Sequence, residues 1–494
     1  MLPISLRPNG RRAVIVGGGD VAARKAESVA RAGFPIFVVA ERIGDRLRAL
    51  LDETGSPHAQ RAYETSDLSG AALVVAATND GELNARIVAD ARAVHALACD
   101  AANPGLGDFT MPATQRVGTL TIGVDSGGNA PAFSRRVARD LAAALDPRYA
   151  GALDRLAHMR TYVKETFAPP ERAAILRALA ERPLDELAGE PRSLVCATRE
   201  SALAMTQSRS IAARLAQQCI VTTMLGVTTT GDRDRRTPIE QLGSVNVFVK
   251  ELESALRERR ADFAVHSCKD LPGLLPDDMH IAAISQRADP RDVFCSERYR
   301  DLASLPAGAV VGTSSPRRRV QLEALRLDLR FEPIRGNVDT RLRKLASGEY
   351  DAIVLAAAGL DRLHASAAHV VPFPVEVMVP AVGQGALAVE TRAEDERLSA
   401  LLHDAVNDPE GELCVACERE ALRVLRAGCS TPLGIHAMLR AGTMVVNASF
   451  EPERGALVRI KVERAVTTLE QARELGAAVA AELKSSAVTS GVAN

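Results

Sequence analysis

The chain has 494 residues, too many for one hydrophobic core, so about three or four domains are expected. Hydrophobic residues make up 47%, charged residues 25%, and the formal net charge is -1, an ordinary soluble composition with no basic field directed at nucleic acid. Tryptophan is absent and aromatics are only 3%, which argues against base-stacking platforms; no continuous apolar run offers a membrane span, and without a signal-peptide layout the cytoplasm is the expected location.

Residues 12–16 (RAVIV) read as a short buried strand. Gly17, Gly18 and Gly19 follow, then a helical DVAARKAESVARAG that stops at Gly33. A second strand, IFVVA, runs from Ile36 to Ala40 and is followed by Glu41. Strand, glycine loop, helix, strand and acid in this order make a dinucleotide-binding βαβ unit. Gly17, Gly19 and Ala22 fit G-x-G-x-x-A; the glycines admit a pyrophosphate to the helix N-terminus, and Glu41 is placed to accept ribose hydroxyls. The bland alternative is a glycine turn in an empty α/β domain. ALVVAATND (71–80) and TLTIGVDSGG (119–128) read as further buried strands, followed by a helix from Pro131 to Leu145. From 148 to 190 the chain turns helical and charged, and Gly189, Glu190 and Pro191 read as a linker.

From Ser193 to residue 405 strands and helices alternate, as in a pair of α/β domains. Four strand-end runs are rich in carboxylate-binding residues. CATRESALA offers Arg199 and Ser201, and AVHSCKDLP offers Lys269 and Asp270. GTSSPRRRVQL offers Thr313, Ser315, Arg317 and Arg318 at a helix start, and PIRGNVDTRLRKL offers Arg335, Asn337 and Arg341. One such run alone is most often a solvated helix face. Four together, each mixed with Ser, Thr or Asn, point to a ligand with many carboxylates. Asp270 has the ordinary reading of a cap or ion pair and the functional reading of a general acid/base.

The last 85 residues suggest a small α+β domain: a helix at 410–426, a Cys-bearing loop, strands near 443–464, a closing helix near 468–485 and a frayed tail. Eight cysteines over this length make no disulfide framework. Cys429, between glycine and Ser-Thr-Pro, is the nucleophile candidate. Cys414 and Cys417 form one helical CxxC, read as packing, so no metal is expected there.

ATRESALA, VHSCKDLP, DPRDVF, GTSSPRRR, IRGNVDTRL, LAAAGLDRL, VPAVGQGALAVE and GCSTPLG, in this order, resemble the hydroxymethylbilane synthase (porphobilinogen deaminase) family over about 193–485. The resemblance implies two α/β domains like a bacterial periplasmic binding protein (191–290 with 385–405, and 291–384) and a third, cofactor-bearing domain at 406–494. It implies a dipyrromethane cofactor held by Cys429 as a thioether. Asp270 would hydrogen-bond pyrrole N–H groups, help to expel ammonia from porphobilinogen and stabilise the resulting cation. Arg199, Arg317, Arg318, Arg335 and Arg341 would bind acetate and propionate groups, with Lys269, Ser201, Thr313, Ser315 and Gln384 lining the same cleft. Four porphobilinogens would add in turn to give an acidic linear tetrapyrrole. Two segments depart from the family: Ser244, Val245 and Asn246 stand in a loop (243–247) usually rich in glycine and lysine, and Ala427-Gly428 replaces a glycine pair.

VGGGDVAARKAESVARAG, AATNDGELN, GDFTMPA and VDSGGNAPAFSRRVARDL resemble the N-terminal module of siroheme synthases over about 1–190. That resemblance implies a Rossmann NAD domain at 1–113 and a dimerisation and helical segment at 114–190, hence a homodimer. Such modules are NAD-dependent precorrin-2 dehydrogenases, often also sirohydrochlorin ferrochelatases, for which ferrous iron would be a substrate. Asp20, Val21, Glu41 and Arg42 fall where the family contacts NAD, and Thr78 and Asn79 near the nicotinamide. Where the family places a functional Asp, this chain has Ala102 or Asn103, neither of which ionises. Asp100 is the nearby acid that could substitute; His95 reads as structural. Three readings stand: a bifunctional enzyme; a synthase fused to an impaired NAD-binding dimerisation module; and a non-enzymatic tetrapyrrole-binding protein, against which Asp270 and Cys429 together argue.

Overall fold

The computed structural model describes residues 2–189, 192–228, 249–428, 431–452 and 457–491. Cys429 and the 243–247 loop lie outside the described residues. The chain divides into two compact units, residues 1–154 and 155–494.

The first unit is built on β1 (Arg12–Val16), α1 (Asp20–Arg31), β2 (Ile36–Val39), α2 (Asp45–Thr54), β3 (His58–Ala59), β4 (Ala71–Ala76), α3 (Gly81–Ala93) and β5 (Leu97–Asp100). The strands pair in parallel in the order β3-β2-β1-β4-β5, a Rossmann-like sheet. Apolar clusters on both faces explain why β1 and β4 read as unbroken apolar runs rather than alternating ones. Ala22, Ala23 and Ala26 on α1 are buried, and such small side chains let the helix lie close to the sheet. A hairpin of β6 (Ala113–Val117) and β7 (Leu120–Val124) follows, with α4 (Pro131–Ala144) against it. The expectation of a buried strand at 119–128 is corrected here. β7 alternates between half-buried and exposed residues, because a two-stranded ribbon with one helix has only one face to cover.

The division between the units falls within α5 (Arg148–Thr166), so the segment expected as 114–190 is split. In the second unit, the rest of α5, α6 (Pro169–Ala180) and α7 (Leu184–Leu187) lead into β8 (Arg192–Arg199), α8 (Ala202–Gln217) and β9 (Ile220–Val227). Met159, Val163, Phe167, Ile175 and Leu179 are buried, and α6 packs on α8. Tyr162 Oη donates to the Thr222 carbonyl (3.1 Å) and accepts the Thr222 N–H (3.1 Å). Arg155 Nη2 donates to the Cys219 carbonyl (3.1 Å). β9 is the edge strand of its sheet, and these bonds occupy backbone groups that an edge leaves open.

The chain continues through α9 (Lys250–Arg257), β10 (Phe263–Ser267), β11 (Met279–Ile284), β12 (Asp292–Ser296), β13 (Val310–Gly312) and α10 (Pro316–Glu323). Next come β14 (Arg330–Glu332), α11 (Val338–Ala346), β15 (Ala352–Ala356), α12 (Ala357–Leu363), β16 (His369–Pro372), β17 (Leu387–Arg392) and α13 (Glu396–Val406). Two five-stranded mixed sheets result, β11-β17-β10-β8-β9 and β14-β13-β15-β12-β16. The chain leaves the first sheet after β11 and returns in β17, so two hinge segments join the lobes. A third domain holds α14 (Pro409–Leu425), β18 (Leu433–Arg440), β19 (Thr443–Phe450), β20 (Val458–Ala465) and α15 (Leu469–Gly491) around one core that includes Cys414 and Cys417. The tail expected to fray from residue 485 instead continues α15 to Gly491.

Candidate active site

In the second unit, β10 ends in a 3-10 turn, Cys268–Asp270, which presents Lys269 and Asp270. The turn is held close to the second hinge. Gly383 has φ +68°, and a Cβ there would come to 2.5 Å from Cys268 Sγ, so only glycine fits. The neighbouring Gln384 is fully buried and uses both ends of its amide. Its Oε1 accepts from Lys269 Nζ (3.2 Å), and its Nε2 donates to Asp292 Oδ1 (3.1 Å) and the Pro290 carbonyl (2.7 Å).

Asp292 opens β12 and is 0% exposed. It accepts from Arg317 Nη1 (2.6 Å) and from Arg318 Nε (2.9 Å) and Nη2 (2.7 Å). Both arginines are buried in the first turns of α10, and each also donates to a backbone carbonyl, Val379 and Val354 respectively. Burial alone would raise the Asp292 carboxyl, but the two guanidinium charges hold it well below the usual carboxylate range. Burial, reinforced by Arg318 and Arg317, pulls Lys269 down to about 8, with Asp270 and Asp292 opposing. Arg341 is lowered to about 10 by burial and by Arg318, against the pull of Asp270. Four cations (Lys269, Arg317, Arg318 and Arg341) thus gather around two carboxylates, and the excess positive charge suits a polyanion.

Asp270 accepts no hydrogen bond among the described residues, so its carboxylate is available to a ligand. It lines a crevice with Arg199, Gln207, His266 and Ser267. Arg335 has no hydrogen-bond partner among the described residues, and Arg341 uses only Nε, on the Gly336 carbonyl (2.8 Å). Ser201, Ser315 and Asn337 are helix N-caps, accepting backbone N–H groups of Ala204, Arg318 and Thr340. Thr313 Oγ1 accepts the Ser315 N–H (3.2 Å). These four polar residues therefore shape the turns from which α8, α10 and α11 start.

Sequence reasoning missed Asp292 and the Arg287–Glu418 pair. Arg287 meets Glu418 at 2.6 Å and donates from Nε to the Gln384 carbonyl (2.8 Å). Glu418 in turn accepts the Gly383 and Ala437 N–H groups, tying the hinge to the third domain. The signal for Asp292 was its place in DPRDVF, an acid entering a strand that is buried on both faces.

In the first unit, a Cβ at Gly17 (φ +127°) would collide with the Ala77 carbonyl, and one at Gly18 with the Arg42 carbonyl. Gly19 caps α1 and faces open space. The triplet thus divides its work: two glycines allow close packing and the third leaves room at the helix N-terminus, a cradle that fits a dinucleotide pyrophosphate. Asp20, Val21, Glu41, Arg42 and Asn79 are exposed around it. The Thr78 hydroxyl is bonded to Asn84 Oδ1 (2.7 Å) and the Asp80 carbonyl (3.0 Å). Asp100 is buried, and its Oδ1 accepts the N–H groups of Ala102 (2.8 Å) and Asn103 (2.9 Å). Among the described residues no group of three or more His, Cys, Asp or Glu side chains could hold a metal ion.

Fold and site together define a multi-domain α/β protein with a cluster of arginines and a lysine beside Asp270 in one unit and a Rossmann-like sheet in the other. Residues 194–400 match the family model "Porphobilinogen deaminase, dipyromethane cofactor binding domain", and residues 412–485 match "Porphobilinogen deaminase, C-terminal domain". Residues 4–113 match "Putative NAD(P)-binding". A porphobilinogen deaminase of Albidiferax ferrireducens is 45% identical over 305 residues, covering 60% of this chain and 95% of that protein. The chain belongs, through this C-terminal region, to the porphobilinogen deaminase family, here joined to an NAD(P)-binding domain. Among solved structures, the precorrin-2 dehydrogenase SirC is 22% identical, covering 38% of this chain and 92% of its own, with a TM-score of 0.31. A periplasmic sulfonate-binding protein SsuA of Methylobacillus flagellatus is 11% identical, covering 48% and 69%, with a TM-score of 0.26. No helix among the described residues is long and apolar enough to cross a membrane.

Proposed function

We propose that the second unit is a hydroxymethylbilane synthase, a transferase that joins four porphobilinogens with release of ammonia. The observation that carries this is the Asp270 carboxylate, which accepts no hydrogen bond among the described residues, beside a cluster with more cations than anions. The donor set fits a dipyrromethane: its carboxylates would be held by Arg199, Arg317, Arg335, Arg341 and the Lys269 ammonium, with the Arg318 charge behind them and the Cys429 sulfur as anchor. When bound, the dipyrromethane supplies the growing end on which the chain is extended.

Each porphobilinogen brings two carboxylates, which the arginine forks orient. Loss of ammonia from it leaves a cation conjugated with the pyrrole nitrogen. Asp270, accepting that N–H, stabilises the positive charge as it develops. Purified protein should consume porphobilinogen and release ammonia, and intact mass should show an adduct of two pyrrole units that is absent from Cys429→Ala. A protein that binds the acidic product without turnover would support the binding-protein reading instead.

The first unit we read as an NAD-dependent precorrin-2 dehydrogenase of the siroheme pathway, with ferrous iron as substrate if it also acts as a ferrochelatase. Gly17, Gly19 and Asp20 would hold the pyrophosphate, and Glu41 and Arg42 the ribose. NAD would supply the hydride acceptor. A second reading, an impaired NAD-binding module that mainly dimerises the chain, is favoured by Asp100. Its Oδ1 is committed to the turn at Ala102 and Asn103, and neither of those two residues offers an acid in its place. Conversion of precorrin-2 to sirohydrochlorin with NAD decides between them. Dimerisation is supported by Phe133 and Leu141 on α4, 56% and 48% exposed, beside a hairpin with one uncovered face. Phe133→Glu should then shift the protein to monomer in sedimentation.

A further inference from the structure

We propose that Asp292 is a positioning residue of the groove, holding Arg317, Arg318 and, through Gln384, Lys269 in one arrangement before any acidic substrate arrives. This rests on the deaminase reading of the same site. Asp292 is enclosed, and its oxygens are taken by Arg317 Nη1, Arg318 Nε and Nη2, and Gln384 Nε2. It cannot itself touch a pyrrole. What it does is fix two long side chains that would otherwise repel each other at a shared helix start.

A guanidinium loses affinity for a carboxylate when its fork must be reoriented on binding, and two adjacent forks double that cost. With Asp292 in place the reorientation is already done for Arg317, whose Nε and Nη2 have no hydrogen-bond partner among the described residues, while Arg318 spends its own fork on Asp292 and adds its charge. Arg318 keeps Asp292 on one edge and the Val354 carbonyl on Nη1, so its plane is set. Gln384 carries the same restraint to the Lys269 ammonium, and Arg287 pins the Gln384 backbone in turn.

The groups facing Lys269 are Arg317 and Arg318 from α10, Asp270 from its own turn, Asp292 from β12 and Gln384 from the hinge. Lys269 holds a carboxylate only while protonated. Burial and the Arg318 charge lower its pKa to about 8, so substrate capture weakens as pH rises through that value. Asp292 opposes the lowering. Without it, the weakening begins at lower pH.

The test measures kcat and KM for porphobilinogen across pH in the full chain. Asp292→Asn should raise KM by ~10- to 100-fold with a smaller change in kcat, and move the alkaline limb of kcat/KM to lower pH by about one unit. Gln384→Met, which removes the acceptor of the ammonium and its link to Asp292 at similar volume, should also move that limb to lower pH. A limb that stays in place in Asp292→Asn, or a loss confined to kcat, overturns the proposal, because a merely structural residue would lower activity without moving the limb. If Asp292→Asn does not fold, Gln384→Met decides alone, and an unmoved or alkaline-shifted limb counts against the role. A wild type that does not turn over porphobilinogen defeats the deaminase reading only. The same variants are then compared by equilibrium binding of porphobilinogen, where unchanged affinity and pH dependence in both overturn the role of Asp292.

Discussion

The glycine corner of the first unit and the arginine groove of the second both suit acidic ligands, yet by opposite means. At the corner the donors are neutral backbone N–H groups, and the shape is set by side chains that are missing. Neutral dipoles tolerate an open, hydrated setting without a counterion. In the groove the donors are ionised and enclosed, with Arg317 and Arg318 5% and 7% exposed. Charges so placed need a resident anion, and Asp292 is that anion. A backbone site is thus broken by adding atoms, whereas a charge site is broken by removing one.

The sharpest way to probe the contrast is Asp270→Ala. It deletes a carboxylate that accepts no hydrogen bond among the described residues, so porphobilinogen turnover should fall by ~1,000-fold or more while the melting temperature changes far less. A matching loss of stability would mean that Asp270 is structural. In the corner, Gly18→Ala should destabilise the first unit by ~2 kcal/mol or more and abolish NAD binding, since its Cβ has nowhere to go. Gly19→Ala should keep the fold and lose NAD affinity by ~10-fold, read by titration calorimetry; equal effects from the two would erase the division of labour among the glycines. The smallest effect is expected of Tyr162→Phe, about 1 kcal/mol, with faster amide exchange at Thr222.

Much of the architecture could be read from the residues, because strands buried on both faces leave unbroken runs such as RAVIV and DAIVLA. Motif order pointed to the groove, and Asp270, Lys269 and Arg341 do come together. What escaped was pairing. Nothing in GTSSPRRR says that two of its arginines face an acid some 25 residues upstream (Arg317 and Asp292 are separated by 25 positions), since partners are chosen in three dimensions. Gly18 was passed over because the dinucleotide fingerprint counts only its neighbours. The helices at 148–190 were legible as helices, but periodicity reveals an apolar face and not what covers it. Met159, Val163 and Phe167 looked like part of the preceding module and are buried within the second unit.

That last feature bears on how the deaminase region can be cut free. Tyr162 occupies both outward peptide groups of Thr222 on the rim of its sheet. A fragment begun at residue 194, where the family match starts, would bare that rim together with the oily flank of α8. Naked strand margins recruit other chains. Shortened in this way, the polypeptide should clump during refolding, whereas a version retaining the helical roof should not.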